Sequence, residues 1–216
     1  MEQDVFRSPM KKGRIAVFLS GRGSNFLALH DAVAGGRINA EIAMVFSNRK
    51  AAPGLEHARQ RGLETVYLRP RNFESREAYD EAAADEADRR GIDLVCLAGY
   101  MRILTPVFCR RFRHRVMNIH PALLPSFPGL HVQQQAIDWG VRFSGATVHF
   151  VEPEVDMGPI ITQAAVPVLQ EDDADALAAR ILVEEHKIYP EAVRLFFEGR
   201  LEVRGRRVLI HPEESG

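Results

Sequence analysis

The sequence predicts an α/β domain built on a doubly wound, mostly parallel sheet, with an antiparallel strand pair and a long helix late in the chain. Three features predict this. Strand-length runs in the first half are apolar throughout rather than alternating, the mark of strands covered on both faces. Helical patterns separate those runs, in the βαβ rhythm of a parallel sheet. In the last third, two β runs flank a Pro/Gly/Asp-rich turn, and a long helical stretch follows them.

The first run is Ile15–Ser20, which ends against a glycine. Glu41–Ser47, Glu64–Leu68 and Asp93–Leu97 follow, then Val116–Ile119, Ser144–Val151 and Ile160–Val168. Asn25–Ala34, Gly54–Arg61 and Ser75–Arg90 carry helical patterns between the early runs. Ser75 suits an N-cap; acidic residues follow it, and Arg89 and Arg90 close the helix in keeping with its dipole. Asp175–Gly199 is the late helix, and Leu201–Ile210 reads as a small hairpin around Gly205. Residues 1–14 read as a flexible N-terminal arm, 15–210 as the domain and 211–216 as a C-terminal tail.

Composition narrows the function classes. A chain of 216 residues, 46% hydrophobic and 26% charged, is long enough to bury its own core without staples. A net charge of −1 provides no broad field for nucleic acid or a membrane surface, although one loop can still bind one phosphate. No apolar run is long enough to span a membrane, and the first residues lack a signal-peptide core. The two cysteines, Cys96 and Cys109, have neither disulfide-framework nor metal-ligand spacing. A reducing compartment, the cytoplasm, is therefore expected.

A doubly wound sheet places ligands outside the C-terminal ends of its strands, so the residues after Ser20, Leu97 and Ile119 come first. Ser20–Asn25 reads SGRGSN between a strand and a helix. Gly21 and Gly23 allow close backbone approach, and Gly23, Ser24 and Asn25 sit at a helix N-terminus suited to phosphate. A tight glycine turn capped by Ser or Asn reads the same way. The loop is not a P-loop, and Phe26 replaces the third glycine of a dinucleotide fingerprint; Ser47–Asn48–Arg49 also lacks its acidic residue. Asn118 and His120, at i and i+2 of a strand end, share a face. A carboxamide donor beside an imidazole suits acyl transfer, while the same pair also suits a loop cap before Pro121. Asp156 lies in an acidic turn with Glu152 and Glu154. It reads either as a solvated charge or, folded against His120, as the group that orients the ring and favours the imidazolium.

Taken together, SGRGSNFLAL, FSNRKAAPGLEHARQRG, LAGYMRILTP, MNIHPALLPSFPGLHVQQQAI, GATVHFVEPEVDMGPII and EEHKIYPEAV resemble the glycinamide ribonucleotide formyltransferases, within the folate-dependent formyltransferase superfamily. The resemblance runs in order from Ile15 to about Arg204. It implies the formyltransferase fold, with 10-formyltetrahydrofolate as co-substrate, glycinamide ribonucleotide as acceptor and no metal. It implies that Asn118, His120 and Asp156 are the catalytic trio. It implies that Gly23, Ser24, Asn25, Pro121 and Glu185 meet the ribonucleotide. Arg76, Met101, Arg102, Ile103 and Leu104, with Asn118, would meet the folate, the Glu152–Asp156 loop would close over the pterin, and Leu124–Pro125 would be cis. Without the resemblance, Arg76 and Glu185 read as surface charges and Met101 and Leu104 as core.

The expected partners are these small molecules, with no nucleic acid and no membrane, for a monomer or homodimer. The rivals are a formyltetrahydrofolate hydrolase, expected to carry a preceding regulatory domain, and a methionyl-tRNA formyltransferase, expected to carry a further domain and to bind tRNA. A non-catalytic folate- or nucleotide-binding module on the same fold is the third.

Overall fold

The computed structural model describes residues 4–5 and 12–213. Among them, ten strands form one sheet. In chain order they are β1 (Asp4–Val5), β2 (Gly13–Leu19), β3 (Ala40–Ser47), β4 (Thr65–Tyr67), β5 (Leu94–Leu97), β6 (Val116–His120), β7 (Phe143–Phe150), β8 (Ile160–Pro167), β9 (Leu201–Arg204) and β10 (Arg207–Ile210). Across the sheet the order is β1-β9-β10-β8-β7-β6-β5-β2-β3-β4. The β6-β5-β2-β3-β4 half is parallel throughout, β7 runs antiparallel to both β6 and β8, and β9–β10 form the expected hairpin. The chain moves outward from β2 to β3 and β4, then returns to β5 on the other side. The strand order therefore reverses between β2 and β5, the place where sheets of this kind bring strand ends and loops together around ligands.

The alternation that a both-faces-buried strand hides is visible in β2. Ile15, Val17 and Leu19 enter a core with α1 (Ser24–Ala34), α2 (Pro53–Gln60), α5 (Val132–Asp138) and α6 (Ala174–Phe197). Ala16 and Phe18 enter a second core with α3 (Arg76–Arg89) and α4 (Pro106–Arg111). On α3 the stripe Tyr79, Ala83, Ala84 and Ala87 faces the sheet, and Ser75 caps the helix by accepting from Ala78 N–H at 3.0 Å. The short α4 and α5 are additions to the sequence reading.

Helix α6 is continuous through Pro190. A mid-helix proline costs roughly 3 kcal/mol in isolation. Here the neighbouring Tyr189 is fully buried and its hydroxyl lies 3.1 Å from Leu97 O and 3.0 Å from Met117 O, pinning the helix beneath β5 and β6. Strand β2 starts at Gly13, inside the segment expected as an arm. A Cβ there would sit 2.2 Å from the Phe197 ring, so glycine lets the last turn of α6 close on the strand. Most of that arm, and residues 214–216 of the tail, lie outside the described residues. His211 N–H bonds Arg200 O at 2.8 Å.

Candidate active site

Strands β6 and β7 bring four polar side chains to one face. Their register sets Asn118 opposite His149 and His120 opposite Thr147, and opposed residues of an antiparallel pair point the same way. Asn118 Nδ2 lies 3.2 Å from His149 Nε2, and His149 Nδ1 lies 2.8 Å from Phe150 O. An Nδ1–H tautomer of His149 donates to that carbonyl and leaves Nε2 to accept from Asn118. Thr147 donates to Ala122 O at 2.7 Å and accepts from Leu124 N–H at 3.1 Å, which folds the segment after Pro121 back under β6. The Leu124–Pro125 bond within that segment is cis. The segment ends at Phe127, whose carbonyl meets His120 Nε2 at 2.8 Å.

Asp156 closes the cluster from the turn between β7 and β8. Its φ of 55° turns the carboxylate inward. It accepts from Gly129 N–H at 2.9 Å and lies 3.4 Å from His120 Nδ1 and 3.6 Å from His149 Nε2. The contact between His120 and Asp156 that the sequence could only make conditional is therefore present. Burial pushes the Asp156 carboxyl up, but the His149 ring, the Gly129 N–H and His120 outweigh it and hold the group below the ordinary carboxylate range. For His120 burial wins. The imidazole is held below its ordinary value despite the opposing pull of Phe127 O and the Asp156 charge. Asp156 does favour the imidazolium, as expected, but desolvation of the buried cation outweighs one carboxylate at 3.4 Å. A histidine NMR titration should place the His120 midpoint below 6.5, and Asp156→Asn should lower it further; a rise in the variant would contradict this account of the ring.

The cluster lines a cavity of about 670 Å³ beyond the C-terminal ends of β5 and β6. Arg76, Met101, Arg102, Ile103, Leu104, Asn118, His120, Pro121 and Asp156, all anticipated from the sequence, line it. Leu97 and the residues just after it, Gly99 and Tyr100, line it as the strand-end reading expected, whereas Leu130, His131, Val132 and His149 line it without having been singled out. Met101 and Ile103 expose about half their surface, and Leu104 is buried. Arg102 lies 4.5 Å over the Tyr79 ring, and Arg76 donates to Ile103 O at 2.8 Å. This wall is irregular backbone, so neither Met101 nor Leu104 belongs to a helix.

Gly23, Ser24, Asn25 and Glu185 stand beside this cavity rather than in its lining. Gly23 is the N-cap of α1, with a φ of 81° that favours glycine, and no side chain caps the helix. Gly54 packs on the loop, with its N–H 3.0 Å from Gly21 O; a Cβ on Gly23 would come within 3.1 Å of the Gly54 backbone. Instead of capping α1, Asn25 donates its amide to Glu185 on α6 at 2.7 Å, leaving a buried Asn25 Oδ1 without a partner. Burial pushes the Glu185 carboxyl up, with the Asn25 bond opposing. The start of α1 thus keeps N–H groups without a side-chain cap, and the Asn25 carboxamide oxygen is a buried acceptor without a donor. Among the described residues no cluster of His, Cys, Asp and Glu suits a metal ion, and no helix is long and apolar enough to cross a membrane.

With this geometry established, comparison with known proteins is informative. Residues 13–193 match the formyl transferase family model. The chain is 47% identical to the phosphoribosylglycinamide formyltransferase of Escherichia coli over 189 residues, 88% of this chain and 89% of that one. It is 44% identical to a trifunctional purine biosynthetic protein of Drosophila melanogaster, covering 95% of this chain but spanning only 15% of that protein's length. The structure superposes on glycinamide ribonucleotide transformylase 1 of Symbiobacterium toebii with a TM-score of 0.93 and 50% identity, over 94% of this chain and 96% of that one. A formyltetrahydrofolate deformylase of Pseudomonas syringae shares the fold at a TM-score of 0.85 but only 28% identity, over 94% of this chain and 67% of that one. The chain belongs to the formyl transferase family.

Proposed function

We propose that this protein transfers the formyl group of 10-formyltetrahydrofolate to the amine of glycinamide ribonucleotide, a step of purine biosynthesis. The observation that carries the reading is the convergence of Asn118, His120 and Asp156 on one end of the cavity, in a chain nearly half identical to two such enzymes along most of its length. The folate occupies the cavity, with its pterin towards the Glu152–Asp156 turn and its charged tail towards Arg76 and Arg102. The ribonucleotide phosphate takes the start of α1 at Gly23, Ser24 and Asn25, with Pro121 and Glu185 completing that subsite. Phosphate at a helix N-terminus draws on free N–H groups and the dipole together.

The chemistry follows from the charge state of His120. The neutral amine attacks the formyl carbon, a C–N bond forms, and the carbonyl oxygen becomes an oxyanion. Asn118 is the donor placed for it, joined by His120 once its ring has taken a proton. Neutral in the free protein, His120 takes the proton released by the attacking amine, and the developing negative charge stabilises the resulting imidazolium. Asp156 orients the ring and supports its positive charge. On collapse the bond from carbon to N10 breaks, and N10 receives the proton. Both substrates held in one crevice supply the proximity term. No metal enters these steps. The reading places the protein in the cytoplasm, in keeping with two buried, unbridged cysteines, as a monomer or homodimer that binds neither nucleic acid nor membrane.

The test is an absorbance assay of 10-formyl folate with and without glycinamide ribonucleotide. Ribonucleotide-dependent deformylation with formylated product is the expected result. Equal deformylation in both mixtures would assign the hydrolase instead.

A further inference from the structure

The wall Gly99–Thr105 has no helix or strand of its own, yet it presents Met101, Arg102 and Ile103 to the cavity. Irregular backbone of this kind holds a shape only if something else satisfies its polar groups. Along this segment the partners divide between two places, the end of β2 for its first half and α3 for its second. Ser20 N–H donates to Gly99 O at 3.0 Å, and Met101 N–H donates to Ser20 Oγ at 2.8 Å. The same hydroxyl donates to Asn48 Oδ1 at 2.6 Å, so its direction is set. From α3, Arg76 holds Ile103 O, and the Asp80 carboxylate accepts from Thr105 N–H at 2.5 Å.

Ser20 and Asp80 differ from Arg76 in one respect. Neither lines the cavity, and they are only 3% and 1% exposed. Asp80 is a buried acid outside the formyl-transfer steps above. Burial pushes its carboxyl above the ordinary range, while the Thr105 N–H and the charges of Arg102 and Arg76 oppose that rise. An isolated carboxyl in such a place is costly, and an apolar residue would suit the adjoining Tyr79, Ala83 and Ala84 better. What the acid secures is the end of the wall, where Thr105 turns the chain into α4.

We propose that Ser20 and Asp80 are positioning residues for the folate, fastening the two ends of the Met101–Thr105 wall from behind so that its side chains meet the ligand already in place. The proposal rests on the formyl-transfer reading for the identity of the ligand. Ser20 has a second consequence, because it also leads into the Gly21–Asn25 loop. One hydroxyl thereby sets the folate wall in register with the ribonucleotide subsite.

The test compares Asp80→Ala, Asp80→Asn and Ser20→Ala with the unaltered protein. Loss of a hydrogen bond to a buried charge should raise the KM for 10-formyltetrahydrofolate about tenfold in Asp80→Ala, and loss of the hydroxyl should raise it severalfold in Ser20→Ala. The saturating kcat should move far less, because the trio lies on other elements. Asp80→Asn keeps an acceptor for Thr105 N–H and should recover most of the folate KM. Equal folate KM in all three variants overturns the proposal, as does a parallel loss of kcat that Asp80→Asn fails to rescue. Should Asp80→Ala not fold, Ser20→Ala decides alone, since it removes a single oxygen. Calorimetric titration with folic acid, which has no transferable formyl group, separates the two levels of inference. Tight binding to the unaltered protein with weakened binding to the variants supports positioning even if ribonucleotide-dependent transfer is absent. Undiminished binding by the variants sinks the positioning role and leaves the formyl-transfer reading intact.

Discussion

His120→Ala is expected to lower kcat by about three orders of magnitude. Losing one preorganised oxyanion donor costs about 10²–10³, and losing a proton carrier contributes about 10²–10⁴. The two losses do not multiply, because one ring performs both roles in a single step. The protein should still fold and bind both substrates, since the ring's polar contacts are confined to Phe127 O and Asp156. Single-turnover transfer with both substrates saturating is the appropriate measurement, because it separates chemistry from binding. Near-complete retention of rate would remove His120 from the mechanism and leave Asn118 and Asp156 to be reconsidered.

Gly158→Ala should be nearly as damaging by a different route. A Cβ at this position would lie 1.7 Å from Phe150 O and 2.8 Å from Phe150 C, both backbone atoms of the paired strand. A flexible side chain can swing away from such a clash, whereas a strand already bonded through Phe150 N–H to Pro159 O cannot. The turn must move instead, and Asp156 stands two residues upstream. Displacing a catalytic group by about 1 Å can cost about 10² in rate. Overpacking of this kind also costs roughly 1–3 kcal/mol of stability. Activity should be read well below the melting transition, so that the displacement of Asp156 is not confused with unfolding. A variant with unchanged melting temperature and full activity would show that the turn absorbs the extra carbon without moving the carboxylate.

Much of this architecture was legible in the residues. The unbroken apolar run of β2 signalled a strand covered on both faces, and its odd and even residues do enter separate cores. Ser75 was legible as a cap because the capping geometry is local. Helices α4 and α5 were not, because six or seven residues offer too few turns for an apolar stripe to stand out. His149 escaped notice for a related reason. Within TVHF it reads as one more strand residue, and only the register opposite Asn118 places it in the cluster. A signal did exist. Polar residues two apart in β7, Thr147 and His149, mirror Asn118 and His120 in β6, and two such pairs on adjacent antiparallel strands share a face. The pull of Asp156 on His120 was legible, but the opposing effect of burial was not, because the sequence does not display the depth of the ring.

The bond between Asn25 and Glu185 joins residues 160 positions apart, and Tyr189 reaches back 92 and 72 positions to the ends of β5 and β6. During synthesis, then, the Asn25–Glu185 pair cannot form until α6 has left the ribosome. The nascent chain can pair β2, β3, β4 and β5 early and cover much of them with the helices between, but β7 and β8 wait for the last helix. Sequence-distant closure of this sort slows folding and lengthens the time for which apolar strands lie open to other chains. The final fifth of the polypeptide therefore acts as a checkpoint: a chain cut short before Tyr189 leaves β7 and β8 without the helix that covers them.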